Sequence, residues 1–138
     1  MSAPADPARP RILLVDDDAD HRAALRAALL DEGYDIAEAD DGRVAIDYLL
    51  ASPAPNVILL DLLMARVTGW DVLSVLRSYL RLRQIPVIVI TGESARLQVP
   101  GVGVVAQIQK PVRLLELLEL LELHAKPGGP VDQGDSNR

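Results

Sequence analysis

Ile12-Leu13-Leu14-Val15-Asp16-Asp17-Asp18 sets four consecutive apolar residues directly against three carboxylates. A run that is apolar at every position, and not at every second one, is what a strand covered on both faces requires, as in a parallel sheet packed between helices. The charges begin where that strand stops. The same pattern recurs downstream: Leu59-Leu60-Asp61 closes the run 57–60, and Gln109-Lys110-Pro111 follows the run 104–108. Two further runs, 36–37 and 87–90, the latter ending at Thr91, complete a set of short strands. If the strands are parallel, Asp16, Asp17, Asp61, Thr91 and Lys110 meet at one rim of one sheet.

The intervening segments carry helical periodicity. In 20–32 Leu25, Ala28 and Leu29 recur at helical spacing, and in 70–80 Leu73, Leu76 and Leu80 do the same. Gly33 stands where a C-terminal cap glycine belongs. Alternating strands and helices predict a doubly wound, five-stranded parallel α/β sheet with helices on both faces, its ligands bound outside the carboxyl ends of the strands. The expected organisation is a tail over 1–10, one domain over 11–125 and a tail over 126–138, both tails disordered, with no second domain.

Composition narrows the function classes. The 138 residues suit one domain, and a hydrophobic content of 49% supplies a core. Fourteen basic against 20 acidic residues give a net charge of −6, which opposes nucleic-acid binding through phosphate neutralisation. Without cysteine there are no disulfides, thiolate metal sites or cysteine nucleophile, and a reducing, cytoplasmic location is expected. No signal-peptide core or apolar run of membrane-spanning length is present, so no membrane partner is expected.

Carboxylates do not crowd together without compensation, and a divalent cation is the natural counter-charge. Asp16 and Asp17 suit a hard, oxygen-liganded ion such as Mg²⁺, one directly and one through water. Asp18 and Asp20 read instead as caps of the following helix. Asp61 is the candidate reactive carboxylate, and Thr91, followed by Gly92, is expected to turn its hydroxyl to the rim. Pro111 restricts Lys110 to an extended backbone and is expected to open the last helix, leaving the Lys110 ammonium to meet the acidic cluster. These groups together suit a phosphoryl group carried on a carboxylate.

The ordered set of motifs, Ile12 through Asp18, Leu59-Leu60-Asp61-Leu62-Leu63-Met64 with Gly69 eight positions after Asp61, Val89-Ile90-Thr91-Gly92 and Lys110-Pro111, resembles a response-regulator receiver domain of two-component signalling over about residues 11–124. The resemblance implies a flavodoxin-like fold and makes Asp61 the phosphoacceptor. Asp17, Asp61 and the backbone carbonyl of Leu63 would ligate Mg²⁺, with Asp16 holding it through water, while Thr91 and Lys110 would bind phosphoryl oxygens. It implies phosphoryl transfer from a sensor histidine kinase or phosphotransfer protein, self-catalysed and followed by slow dephosphorylation, in a switch that is not a turnover enzyme. A downstream protein partner is implied as well.

The chain also departs from the family pattern. Ala65 replaces a customary proline, and Gln107 stands where the last strand usually carries an aromatic switch residue. The segment 93–103, with Pro100, Gly101 and Gly103, is too short and too broken for a three-turn helix, so the fourth helix is expected to be short or absent, as in an atypical group of single-domain receivers. In the last helix, 112–123, Leu114, Leu117, Leu118 and Leu121 are expected to face the sheet. Leu115, Leu120 and Leu123 lie among Arg113, Glu116, Glu119 and Glu122 and, with Gln107, form an expected interaction surface for a partner or homodimer mate.

Two other function classes compete with this reading. A receiver-shaped scaffold that works by protein binding without phosphorylation would accommodate Ala65 and Gln107. Asp16, Asp18 and Asp20 also resemble the opening of haloacid-dehalogenase-type phosphatases, a reading that leaves Asp61 unexplained. Flavin binding fails, because the rim offers carboxylates where a cofactor phosphate needs donors and positive charge.

Overall fold

The computed structural model describes residues 9–62, 64, 67–92 and 103–125. Its elements in chain order are β1 (Arg11–Val15), α1 (Ala19–Asp31), β2 (Asp35–Ala39), α2 (Gly42–Ala51), β3 (Val57–Asp61), α3 (Gly69–Ser78), α4 (Leu80–Arg83), β4 (Val87–Thr91), β5 (Val104–Gln109) and α5 (Leu114–His124). The strands form one parallel sheet in the order β2-β1-β3-β4-β5. The chain winds outward in opposite directions from β1 and β3, and the crevice between these neighbours is the switch point where such sheets bind ligands.

The unbroken apolar runs of β1, β3 and β4 are divided between two cores, whereas the edge strands β2 and β5, expected to be covered on both faces, are only partly buried. Ile12, Leu14, Val57, Leu59, Ile88, Ile90 and Ile108 pack with Leu25 and Leu29 of α1 and Leu117 and Leu121 of α5. Leu13, Val15, Ile58, Leu60, Val87 and Val89 pack on the other face with Ala45 and Leu49 of α2, Leu73 and Leu76 of α3 and Leu82 of α4. Alternate residues of one strand thus serve opposite layers, and no position in β3 or β4 is left for a polar residue before the strand ends at Asp61 or Thr91. The fold is the expected doubly wound sheet.

Local boundaries differ from the sequence reading in instructive ways. Helix α1 ends as expected, with Gly33 at φ +96° and the Gly33 and Tyr34 amides donating to the Leu30 and Leu29 carbonyls, a left-handed turn that side chains resist. Helix α3 stops two residues short of Leu80, because Tyr79 takes an extended backbone (φ −122°, ψ 126°) before α4 begins. The break rephases the pattern: Leu82 enters the core and Leu80, expected inside, is 77% exposed. Pro111 does not open α5, which starts at Leu114 after the N-cap Arg113.

The helix α5 corrects two further expectations. Its inward line runs between Leu117 and Leu121, which are fully buried. At about 100° per residue, Leu118 and Leu120 lie symmetrically about 80° to either side of that line, and both pack partly against the core. Leu120 is therefore not an outward residue. Leu114, expected inside, occupies the first helical position and is 39% exposed. Leu115 and Leu123 face outward as expected, at 78% and 65%. Gln107 is exposed on the edge strand β5.

Pro10, placed in the N-terminal tail by sequence, accepts a hydrogen bond from the Asp35 amide (2.9 Å). The remaining tail expectations, on 1–8 and 126–138, lie outside the described residues. So do the roles expected of the Leu63 carbonyl and Ala65, and the expected shortening of the helix between β4 and β5, of which only Gly103 is described.

Candidate phosphoacceptor site

Register places the candidate groups side by side. Val15 pairs with Leu60, so Asp16 and Asp61 follow their strands at the same level. Asp61 pairs with Ile90 and Thr91 with Gln109, which brings Thr91 and then Lys110 to the same rim. The Lys110 amide donates to the Thr91 carbonyl (2.8 Å), fixing the start of the turn after β5. One carboxylate oxygen from each of Asp16, Asp17 and Asp61 falls within 4.8 Å of the others. Asp16, Asp61 and Thr91 are buried, whereas Asp17 is exposed.

Lys110 closes the cluster. Its Nζ donates to Asp61 Oδ2 at 3.0 Å. Burial lowers the proton affinity of this ammonium, but the hydrogen bond to Asp61 and the attraction of Asp61, Asp16 and Asp17 outweigh it, holding the Lys110 pKa above the usual lysine value. The lysine therefore keeps its positive charge throughout the neutral pH range. One ammonium against three carboxylates still leaves the cluster electron-rich, and a set of hard oxygens from three aspartates fits a hard divalent cation such as Mg²⁺. Asp16, Asp17 and Asp61 would hold it.

Close backbone packing surrounds the reactive position. The Gly69 amide donates to the Leu62 carbonyl (3.3 Å), and a Cβ at Gly69 would stand 2.7 Å from both the Asp61 carbonyl oxygen and Leu62 Cα. Only a glycine lets α3 begin this close to the end of β3. Gly92, expected to turn the chain after Thr91, has no positive φ and open space where a Cβ would sit, so its glycine character is not needed for that turn.

The start of α1 holds groups that the sequence reading did not single out. Asp18 is the N-cap, accepting from the Asp20 and His21 amides at 3.1 Å each, while Asp20 sits in the first turn and does not cap. This turn folds His21 back onto the site, where its Nδ1 lies 2.5 Å from Asp16 Oδ2. Arg22 donates from Nη1 to the Asp16 carbonyl oxygen (2.7 Å) and from Nε to Glu38 (3.0 Å). The signal was available in principle. An N-cap two residues after Asp16 places the third helical residue, His21, over the acid that precedes the cap.

The sheet, the crevice at its switch point and the acidic rim with its lysine define a domain of the signalling receiver class. The model of the response regulator receiver domain matches residues 12–122, and the chain belongs to this family. It is 40% identical over 111 residues to the response regulator MprA of Mycolicibacterium vanbaalenii, an alignment covering 78% of this chain and 47% of that protein. The chain thus spans about half the length of the curated relatives it matches. Among solved structures, a response regulator receiver protein from Pseudomonas putida superposes with a TM-score of 0.74 at 32% identity, covering 85% of this chain and 98% of that one. Response regulator protein TrrA from Thermotoga maritima, solved in complex with Mg²⁺–BeF, superposes with a TM-score of 0.73 at 26% identity, covering 83% and 97%. Among the described residues no helix is long and apolar enough to cross a membrane.

Proposed function

We propose that this receiver domain accepts a phosphoryl group on Asp61 from the phosphohistidine of a sensor histidine kinase or phosphotransfer protein. The observation that carries this reading is the Lys110 Nζ to Asp61 Oδ2 contact of 3.0 Å inside a cluster that also gathers Asp16 and Asp17. The Asp61 carboxylate is the nucleophile: its O–P bond forms as the donor's N–P bond breaks, and the imidazole nitrogen leaves with the electron pair. Such transfers demand positioning and charge neutralisation more than covalent work from the protein. Lys110 neutralises charge on the phosphoryl oxygens, and Thr91 offers a hydroxyl at the same rim. Bound Mg²⁺ would supply further positive charge to those oxygens, with Asp17 and Asp61 as its side-chain ligands, the Leu63 carbonyl as a backbone one and Asp16 holding it through water.

The product is an acyl phosphate whose phosphoryl group carries about −1.5 to −2 charge in place of the carboxylate's −1, and it brings new acceptor oxygens to the rim. Its output is a change in protein binding, for which Gln107, Leu115 and Leu123 are the exposed candidates on β5 and α5. A downstream protein or a second copy of the chain is the expected partner. The domain is a switch with slow self-dephosphorylation, not a turnover enzyme. The test is incubation with a small phosphoryl donor such as acetyl phosphate, read by intact mass with and without Mg²⁺. Metal-dependent labelling of the wild type and none of Asp61→Asn supports the reading. Labelling of the Asn variant to a wild-type level removes Asp61 from the role and points to a different acceptor, whereas a wild type that takes up no label with Mg²⁺ present favours the scaffold alternative.

A further inference from the structure

We propose that His21 is a positioning residue for divalent-metal binding, holding the Asp16 carboxylate in the orientation the metal site uses. The inference rests on the reading that Asp16, Asp17 and Asp61 form that site. Asp16 is fully buried, and both of its carboxylate oxygens are engaged from the α1 side: Oδ1 accepts from the Asp18 amide (2.9 Å) and Oδ2 lies 2.5 Å from His21 Nδ1. An ionised carboxylate only accepts, so Nδ1 carries the hydrogen in this contact. His21 is itself fixed, because its amide donates to the Asp18 cap (3.1 Å) and its ring stands on the first turn of α1. Arg22, the next residue, anchors the backbone of Asp16 through its carbonyl oxygen (2.7 Å).

The consequence is a carboxylate whose rotation is restrained at both oxygens. Each oxygen keeps acceptor capacity beyond the bond it makes to α1, and one of them lies within 4.8 Å of a carboxylate oxygen of both Asp17 and Asp61. Groups that orient a metal ligand in this way change affinity on the order of 10–100-fold when removed. His21 does not touch the metal or the phosphoryl group. Its effect is transmitted through Asp16.

Replacement by leucine keeps bulk and removes the donor, whereas asparagine places an amide nitrogen one bond from Cγ, as Nδ1 is, and restores it. Titration of the full chain with MgCl₂, followed by amide chemical shifts, is expected to give a dissociation constant about tenfold weaker for His21→Leu and close to wild type for His21→Asn. Thermal melts without metal identify any loss of folded protein, and Asn rescue separates donor loss from a general effect on α1. Equal or tighter Mg²⁺ binding by folded His21→Leu overturns the proposal, the tighter result meaning that His21 competes with the metal for Asp16. Wild type that shows no Mg²⁺-dependent shifts near Asp16, Asp17 and Asp61 overturns both this inference and the metal reading beneath it. Wild-type binding with an indifferent leucine variant overturns only this one.

Discussion

Lys110 and Asp61, 49 residues apart in the chain, meet at 3.0 Å between Nζ and Oδ2 because β3 and β5 flank the same strand and end at the same rim. The contact joins the last strand of the sheet to the carboxylate at its centre. Any group added to Asp61 must be accommodated by this lysine, so the pair couples chemistry at the crevice to the β5 edge.

Removal of the ammonium should separate transfer from metal binding. Lys110→Ala is expected to take up phosphoryl groups from acetyl phosphate about a hundredfold more slowly, the scale seen when one preorganised charge-stabilising donor is lost. Mg²⁺ should still bind. Rates from intact mass, set beside an NMR metal titration, check both halves, and an unchanged rate would remove Lys110 from the transfer step.

The pair also has a defined pH dependence. Burial lowers the Lys110 pKa, but Asp61, Asp16 and Asp17 raise it further, so the folded value lies above the ordinary 10.5. A raised lysine contributes stability that is complete below the ordinary value and is lost as pH rises through the folded one. Stability from this pair should thus be flat across neutral pH and decline only above 10.5. An NMR titration of the Lys110 side chain should give a midpoint above that of an unfolded-peptide lysine, and Asp61→Asn should lower it.

Gly69 sets how closely α3 approaches Asp61. Gly69→Ala introduces a Cβ 2.7 Å from the Asp61 carbonyl oxygen and Leu62 Cα and is expected to cost about 1–3 kcal/mol through backbone displacement. Gly92→Ala, which meets open space, should change stability by less than about 1 kcal/mol. Urea denaturation of the two variants measures the contrast, and phosphoryl uptake should fall only in the first.

The faces of α5 should separate as sharply. Leu117→Ala, at a fully buried position, is expected to cost about 2–5 kcal/mol, and Leu115→Ser together with Leu123→Ser less than about 1 kcal/mol in all. If the exposed pair belongs to an association surface, the double variant should show weakened self-association in sedimentation while accepting phosphate normally. Denaturation midpoints and sedimentation profiles read the two effects independently.

The sheet and the acidic rim could be read from the chain because both follow from short-range rules. Apolar runs of strand length fix which segments are buried on both faces, and parallel strands carry Asp16, Asp61, Thr91 and Lys110 to one edge whatever the helices do. The helix faces were less secure, since periodicity fixes angles within a helix but not where it starts. Tyr79 breaks α3 and turns Leu80 outward, and the late start of α5 leaves Leu114 at its open end. His21 escaped notice for a related reason. A histidine in the first turn of a polar helix has no distinguishing apolar pattern, and its return to Asp16 follows only when the Asp18 cap is used to phase the helix.

In the β4–β5 ladder, Val87 and Ile88 are adjacent, yet they face Val104 and Ala106, which leaves Val105 as a supernumerary residue pushed toward solvent. A one-residue slip elsewhere in a strand exchanges its two faces, turning Ile108 out of the core and swinging Lys110 off its mark. Here the odd residue is absorbed before Ala106. The interval between Thr91 and Lys110 can therefore shorten by one at Val105 with every later side chain keeping its side of the sheet and the lysine keeping its aim.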